Sequence, residues 1–392
     1  MEHKTLDKII SSPVPIRQKA VCLLFLIFSL LVFSSDLPAQ DFKRALPGKT
    51  FSFPQDHFSH PDFRTEWWYY SGHLQSQDRN KNIYGYQLTF FRTGLKRETD
   101  RTKSKWSIQD LYFAHLAVTD GSEKRFEYLE KISRGSLGEA GAHAYQADGK
   151  PFRVWVEDWS TEGKGPALED HFLKGGEPRF GVELTLAPEK KPVVHGQNGI
   201  SRKAEGEGFA SHYYSITRLN TSGKIFSKGQ SVPVRGTSWM DHEFGSNQLR
   251  EHQAGWDWFS LQLDNGMDLM FYQIRNKDGN PDPSSSGTLI FADGAHRHLR
   301  LEEVQIEVLK RWKSQKSGAI YPSTWRVKVP SRGVELLLVP TVENQELMTE
   351  ASTRVTYWEG SVNVEGKIRQ VPVKGRAYVE LTGYAKPFSK GI

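Results

Sequence analysis

The sequence predicts an all-β protein built from antiparallel strands in sandwiches or barrels. Three observations lead there. Short runs alternate large apolar with small or polar residues at every second position, Gly/Asn/Asp/Pro turn signals separate them, and long helical periodicity is nearly absent. Aromatics make up 12% of the chain and there are 34 glycines, a combination that suits pleated strands joined by tight turns. No βαβ spacing occurs, which argues against a parallel sheet.

The chain opens on a targeting signal. Arg17 and Lys19 precede an apolar run from Ala20 to Phe33, and small residues then lead to a cut after Ala39. The run is shorter than the roughly 20 residues that span a bilayer. Leu37 is a poor residue three places before that cut, so an uncleaved anchor is a second reading. Cys22, the single cysteine, lies inside the signal. The exported product therefore has no disulfide, thiolate chemistry or Cys-ligated zinc, and a bacterial periplasm suits it. About 350 residues follow, enough for two domains.

The strands follow in order. Glu66-Trp67-Trp68-Tyr69-Tyr70-Ser71-Gly72-His73 places Glu66, Trp68 and Tyr70 on one face, with Trp67, Tyr69 and His73 on the other. Such a strand is buried on both sides. Ile83–Phe91 and Leu111–Val118 alternate in the same way, and Gly181–Leu186 and His212–Thr217 are further candidates. Trp256–Leu263 and Met267–Arg275 are joined by Asp264-Asn265-Gly266, a strong hairpin signal. Strands are also predicted at Gly287–Ala292, Trp325–Val329, Val334–Val339, Tyr357–Val364 and Arg376–Thr382. Leu301–Trp312 reads as either a helix or a strand. Leu95–Lys105 and Thr161–Glu177 read as long loops, and Gly138–Gly149 as irregular. The polar stretch Thr221–Lys228 is taken as the domain boundary, giving units at 46–224 and 229–392. Tyr357-Trp358-Glu359-Gly360 weakly echoes the aromatic strand that ends at Gly72.

The formal charge is +6, but basic residues are scattered and form no long block, so nucleic acid is not an expected partner. Asp241-His242-Glu243 is the strongest titratable cluster. On a strand Asp241 and Glu243 share a face and His242 opposes them. Trp239, Phe244, Trp256 and Trp258 can desolvate it, which raises a carboxyl pKa into the useful range for an acid. The competing reading is a satisfied turn. Glu66 is either a site acid or the ion-pair partner of Arg64 or Arg92. His115 sits on a strand and is either cavity-facing or a satisfied core histidine. Trp68, Tyr70, Trp239, Trp256, Trp258 and Tyr272 offer an apolar wall whose ring faces stabilise positive charge, or plain core. No set of histidines and carboxylates shows metal-ligand spacing, so no metal and no cofactor are expected. A Gly-x-Ser-x-Gly elbow is missing, which disfavours a serine hydrolase.

At His60–Gly72, Tyr84–Arg92, Phe113-Ala114-His115, Ser238–Ser246, Gly255–Leu263, Ser317–Pro322, Tyr357–Gly360 and Glu380–Tyr384 the chain resembles the AttH-like/CrtC-like family. Some members of that family are called carotenoid 1,2-hydratase or predicted secreted hydrolase. The resemblance implies two consecutive lipocalin-like β-barrels, each able to hold one apolar ligand. It implies first an exported protein that binds or carries a lipophilic molecule, with an ABC-type exporter permease as a partner. The alternative is a hydratase that protonates an isoprenoid double bond. In that reading Asp241 or Glu66 is the acid, His242 activates water, and Trp239, Trp256 or Tyr272 forms the cation wall. The hydratases carry a Tyr and an Asp downstream; here Tyr272 is present without a matching Asp. A secreted hydrolase is the third reading.

Overall fold

The structure, a computed structural model, describes residues 42–97, 101, 104, 106–146, 149–165, 169–247 and 249–387. The targeting signal predicted before Ala39 lies outside them. Among the described residues no helix is long and apolar enough to cross a membrane.

Two antiparallel sheets make up the body. The first contains β1 (Thr65–Ser76), β2 (Ile83–Gly94), β3 (Asp110–Asp120), β4 (Arg125–Ser133), β5 (Ala140–Ala142), β6 (Arg153–Val156), β7 (Trp159–Lys164), β8 (Asp170–Glu177), β9 (Phe180–Pro188), β10 (Val193–Val194), β11 (Ser201–Arg202), β12 (Ala210–Ser227) and β13 (Gln230–Asn247). Its order is β4-β3-β2-β1-β13-β12-β9-β8-β7-β6-β5, with β10 and β11 also on β12. The second contains β14 (Gln253–Leu263), β15 (Asp268–Asn276), β16 (Ser286–Ile290), β17 (His296–Arg300), β18 (Gln305–Lys313), β19 (Ile320–Val329), β20 (Val334–Pro340), β21 (Glu346–Thr349), β22 (Val355–Ile368) and β23 (Val371–Leu381). Its order is β17-β16-β15-β14-β23-β22-β20-β19-β18, with β21 on β22.

Each sheet curls on itself. In the first, Leu88 of β2 and Leu116 of β3 share one core with Val154 of β6 and Leu173 of β8, strands from the opposite end of the order. Lys131 of β4 reaches Glu157 and Asp158 beside β6, a further tie between the two ends. In the second, Phe271 and Leu289 share a core with Trp325 and Leu336 in the same way. In both, a four-strand meander is closed by the last strand pairing with the first: β13 on β1, and β23 on β14. This curled, near-barrel architecture fits two consecutive lipocalin-like units.

The alternation of β1 is realised. Glu66, Trp68 and Tyr70 point into the first core, while Trp67 and Tyr69 point out, toward the second sheet. A buried aromatic removes roughly 150–250 Å² from water, so this strand anchors both a core and an interface. That interface, a seam between the outer face of the first sheet and strands β14, β15 and β23, joins Tyr69, Tyr213 and Trp239 to Trp258, Met270, Tyr272 and Tyr378.

Of the two readings of Leu301–Trp312 the structure has the strand, after a short 3-10 turn. Three expectations are corrected. Thr161–Glu177 is mostly strand, the β7–β8 hairpin, because His171, Leu173 and Gly175 alternate inward although only one of them is strongly apolar. Thr221–Lys228 runs into the tip of the β12–β13 hairpin, whose two strands both belong to the first sheet; the change of sheet comes between Asn247 and Gln253. The echo between the Trp67 and Tyr357 segments does not mark equivalent strands, since β22 neighbours the closing strand whereas β1 opens its sheet; β14 is the counterpart of β1.

Candidate functional site

Strand β13 carries two different polar sites, one on each face. Its register on β1 sets Trp68 opposite His242 and Tyr69 opposite Asp241. Successive side chains alternate. His242 therefore enters the first core, and Asp241 and Glu243 enter the seam.

In the core, Glu66 is fully buried. Its Oε2 accepts from Ser59 Oγ at 2.8 Å and Arg92 Nε at 3.1 Å. Its Oε1 lies 2.9 Å from His60 Nδ1 and 2.9 Å from His242 Nε2. The far ring nitrogens meet one residue: His60 Nε2 is 3.0 Å from Asp56 Oδ1, and His242 Nδ1 is 2.9 Å from the Asp56 carbonyl oxygen. Trp68 stacks on the His242 ring at 4.7 Å, and Phe244 stacks on the His60 ring at 3.6 Å. Burial disfavours the Glu66 charge, but hydrogen bonds from His242 and His60 and the Arg92 guanidinium outweigh it and hold the carboxyl well below its usual range. Glu66 is thus a carboxylate, not a proton donor. Burial also pulls His60 down, yet the bonds to Asp56 and Glu66 raise it overall. Among the described residues, His60, Glu66 and His242 form the one group of three that offers metal-ligand atoms, all within 4.8 Å of one another. Deeper in, Tyr70 hydroxyl bonds His171 Nδ1 at 2.8 Å, and His57 Nδ1 bonds the Tyr214 hydroxyl at 2.6 Å.

In the seam, Asp241 accepts from Tyr213 hydroxyl at 2.8 Å, from Trp239 Nε1 at 2.6 Å and from Ser215 Oγ. Trp258 Nε1 donates to the same Tyr213 oxygen at 3.0 Å. Burial pushes Asp241 up to about 7, against those three donors. Glu380, on β23, is pushed up to about 7 by burial, against the bond from Trp256 Nε1 at 3.0 Å. Glu380 sits opposite Glu359 in the β22–β23 register, and Glu359 is raised by burial and by its neighbour's charge. Glu243 pairs with Lys203 at 3.0 Å, whose ammonium lies 4.0 Å from the Tyr272 ring centre. The partly exposed Trp67, Leu249 and Trp256 pack on the outer edge of this aromatic cluster.

The residues singled out from sequence therefore divide. Glu66, His242, Trp68 and Tyr70 gather in the core. Asp241, Trp239, Trp256, Trp258 and Tyr272 gather in the seam. Asp241 and His242 point to opposite faces of β13. His115 joins neither group: its ring nitrogens bond Tyr357 hydroxyl and Ser352 Oγ, both at 2.8 Å, which ties β3 to the second unit. His60, Asp56, Tyr213, Lys203 and Glu380 were not singled out. His60 and Glu380 did carry a signal, since each opens a stretch that bears the family resemblance. The metal expectation is revised too: a donor set exists, but it is assembled by strand pairing rather than by spacing along the chain.

The sequence matches the family described as AttH-like over residues 44–384. A solved candidate AttH protein from Nitrosomonas europaea is similar at 33% identity and TM-score 0.76, covering 87% of this chain and 99% of that one. Kievitone hydratase from Nectria haematococca shares the fold at 13% identity and TM-score 0.62, over 88% of this chain and 99% of that one. CghA does so at 10% identity and TM-score 0.52, over 90% and 98%. No curated protein matches the sequence.

Proposed function

The chain belongs to the AttH-like family, and from that premise we propose that it is a hydro-lyase acting on a carbon–carbon double bond of an apolar, isoprenoid-like molecule. One observation carries the reading: Asp241 is a buried carboxyl walled by Trp239, Trp258 and Tyr213, with a second carboxyl, Glu380, on the same seam. A carrier needs an apolar lining; it has no use for two carboxyls poised near neutrality. That a protein of the same fold is named a hydratase accords with this, but at 13% identity the likeness carries only the fold.

The chemistry needs an acid, a base and a surface that tolerates a cation. Asp241 in its acid form donates a proton to the less substituted alkene carbon. Positive charge develops on the more substituted carbon against the indole faces of Trp239 and Trp258. Glu380 as carboxylate takes a proton from water while the water oxygen bonds to that carbon. The product is a tertiary alcohol, and proton exchange between the carboxyls resets the site. Two groups of opposite protonation suit general acid–base work near neutrality. The aromatic edge at Trp67, Leu249 and Trp256 is the entrance for an apolar substrate. Export through the N-terminal signal forms part of the same proposal.

The test incubates the exported chain with an acyclic carotene and follows tertiary alcohol by mass spectrometry. Asp241→Asn and Glu380→Gln each lower turnover by about 10²–10⁴-fold, the usual worth of a positioned acid or base. Undiminished turnover in Asp241→Asn sinks the assignment. A co-purifying lipid with no turnover on any alkene returns the protein to a carrier.

A further inference from the structure

We propose that His60 Nδ1, Glu66 Oε1 and His242 Nε2 bind one divalent first-row transition metal ion inside the first unit. The site is separate from the seam carboxyls, so its failure would leave the hydro-lyase reading untouched.

The inference starts from a donor count. A neutral imidazole carries one N–H and one lone pair. Each of these two rings faces an oxygen acceptor with both nitrogens. His60 lies between Asp56 Oδ1 at 3.0 Å and Glu66 Oε1 at 2.9 Å. His242 lies between the Asp56 carbonyl oxygen at 2.9 Å and the same Glu66 Oε1 at 2.9 Å. Without an ion, ring N–H groups bond Glu66 Oε1, and the Tyr214 hydroxyl stands 3.1 Å from His242 Nδ1. Metal binding displaces such protons. With one N–H per ring turned to Asp56, two imidazole lone pairs and a carboxylate oxygen, all within 4.8 Å of one another, become the ligands.

The surroundings have the form of a metal site's outer shell. Ligating histidines commonly donate their other N–H to a carboxylate or a backbone carbonyl, which fixes the tautomer and ring orientation. His60 meets the Asp56 carboxylate and His242 the Asp56 carbonyl, so one residue orients both rings. Ser59 and Arg92 hold Glu66 Oε2, and the His60 backbone N–H reaches both carboxylate oxygens, at 2.9 and 3.0 Å, which orients Oε1 toward the two ring nitrogens. Lys49 Nζ in turn fixes Asp56 Oδ1 at 2.7 Å. The Phe244 and Trp68 rings clamp the two imidazoles face-on. At metal–ligand distances of about 2.1 Å, ligand atoms stand about 3.0 Å apart at right angles and about 3.4 Å at tetrahedral ones, so the 2.9 Å separations of Glu66 Oε1 from the two nitrogens need to open only slightly. His60 has a side-chain exposure of 17%, enough for an ion to enter from solvent, whereas Glu66 and His242 are sealed. Two imidazoles and one carboxylate suit zinc or iron(II) over calcium or magnesium, which prefer oxygen.

The experiment uses the chelator-treated full chain, with Zn²⁺ and Co²⁺ as probes. Calorimetry gives one ion per chain, and X-ray absorption of the Zn²⁺ form shows an N/O shell with the outer scattering of two imidazoles. His60→Ala removes the binding, and Asp56→Asn weakens it about 10–100-fold, the usual effect of losing an outer-shell partner. No stoichiometric binding overturns the proposal, and so does binding that His60→Ala leaves unchanged. If the variants do not fold, the wild-type absorption spectrum decides: fewer than two imidazoles overturns it.

Discussion

Arg92 shows how tightly single side chains are committed in the first core. It is buried, and its guanidinium bonds Glu66 Oε2 at 3.1 Å, Asp110 Oδ1 at 3.1 Å, and the carbonyls of His60 and Phe63 at 3.0 and 2.7 Å. Arg92→Leu removes the cation that Glu66 and Asp110 share in the core; Asp110 keeps Arg101 at 2.7 Å and Glu66 keeps its histidines, so the loss lies toward the lower end of the about 3–5 kcal/mol that breaking a buried pair from one side costs. Urea unfolding of the variant reads that loss. Arg92→Lys recovers little of it, because an ammonium cannot fork toward four oxygens; a Lys variant as stable as the parent would show that charge alone matters. At this scale the sequence was partly legible. Arg92 was one of the basic residues named as a partner for Glu66, and the alternation rule separated Asp241 from His242. Asp56 was beyond reach, and the family stretch that opens at His60 did not name its partners, because nothing in their spacing shows that a strand about 180 residues later delivers His242 to them.

At the scale of elements, what was read correctly was what local chemistry dictates. Asn265-Gly266 closes the β14–β15 hairpin with Gly266 at a φ of +81°, a conformation that favours glycine. What was missed lacked local contrast. In β8 the inward positions include His171 and Gly175, and a Cβ on Gly175 would stand 3.1 Å from Leu88, so a small residue serves packing there at the cost of the pattern. In β18 nearly every position is exposed or half-buried, so no period emerges. The closure of the first unit is vulnerable at Gly236 on β13. A Cβ there would stand 1.9 Å from the His73 carbonyl oxygen of β1. Gly236→Ala therefore forces the closing strand away from the opening one. Overpacking typically costs about 1–3 kcal/mol, and hydrogen exchange in the variant rises first along β1 and β13. Protection unchanged on both strands would mean that the closure is not where the first unit is held.

The whole molecule is held by a seam rich in groups that folding moves off their ordinary pKa values, and this gives its stability a bounded pH range. On the acid side stand two histidines at contacts between the units beside that seam, His115 and His73, each lowered to about 3, by burial in both and, for His73, also by Arg376. Their folded values lie below the unfolded value near 6.5, so the unfolded chain binds more protons between about 3 and 6.5. Stability from keeping them neutral is present above pH 6.5 and is lost as pH falls through that window. On the other side stand Glu380, raised to about 7, and Glu359, raised by burial and by Glu380. Their folded values exceed the unfolded value of about 4.5, so the folded chain holds the extra protons. Stability from keeping them protonated is present below pH 4.5 and is lost as pH rises through about 7. Between about 4.5 and 6.5 the two slopes oppose each other. The melting temperature should therefore form a plateau near pH 5–6.5 and fall on both sides. Glu380→Gln removes a carboxyl that must ionise in the seam, so its melting temperature should fall by several degrees less than the parent's between pH 6 and pH 8. His115→Gln should leave that alkaline limb alone and flatten the acid one. Identical limbs in parent and variants would place the titrating groups away from the contacts between the two units.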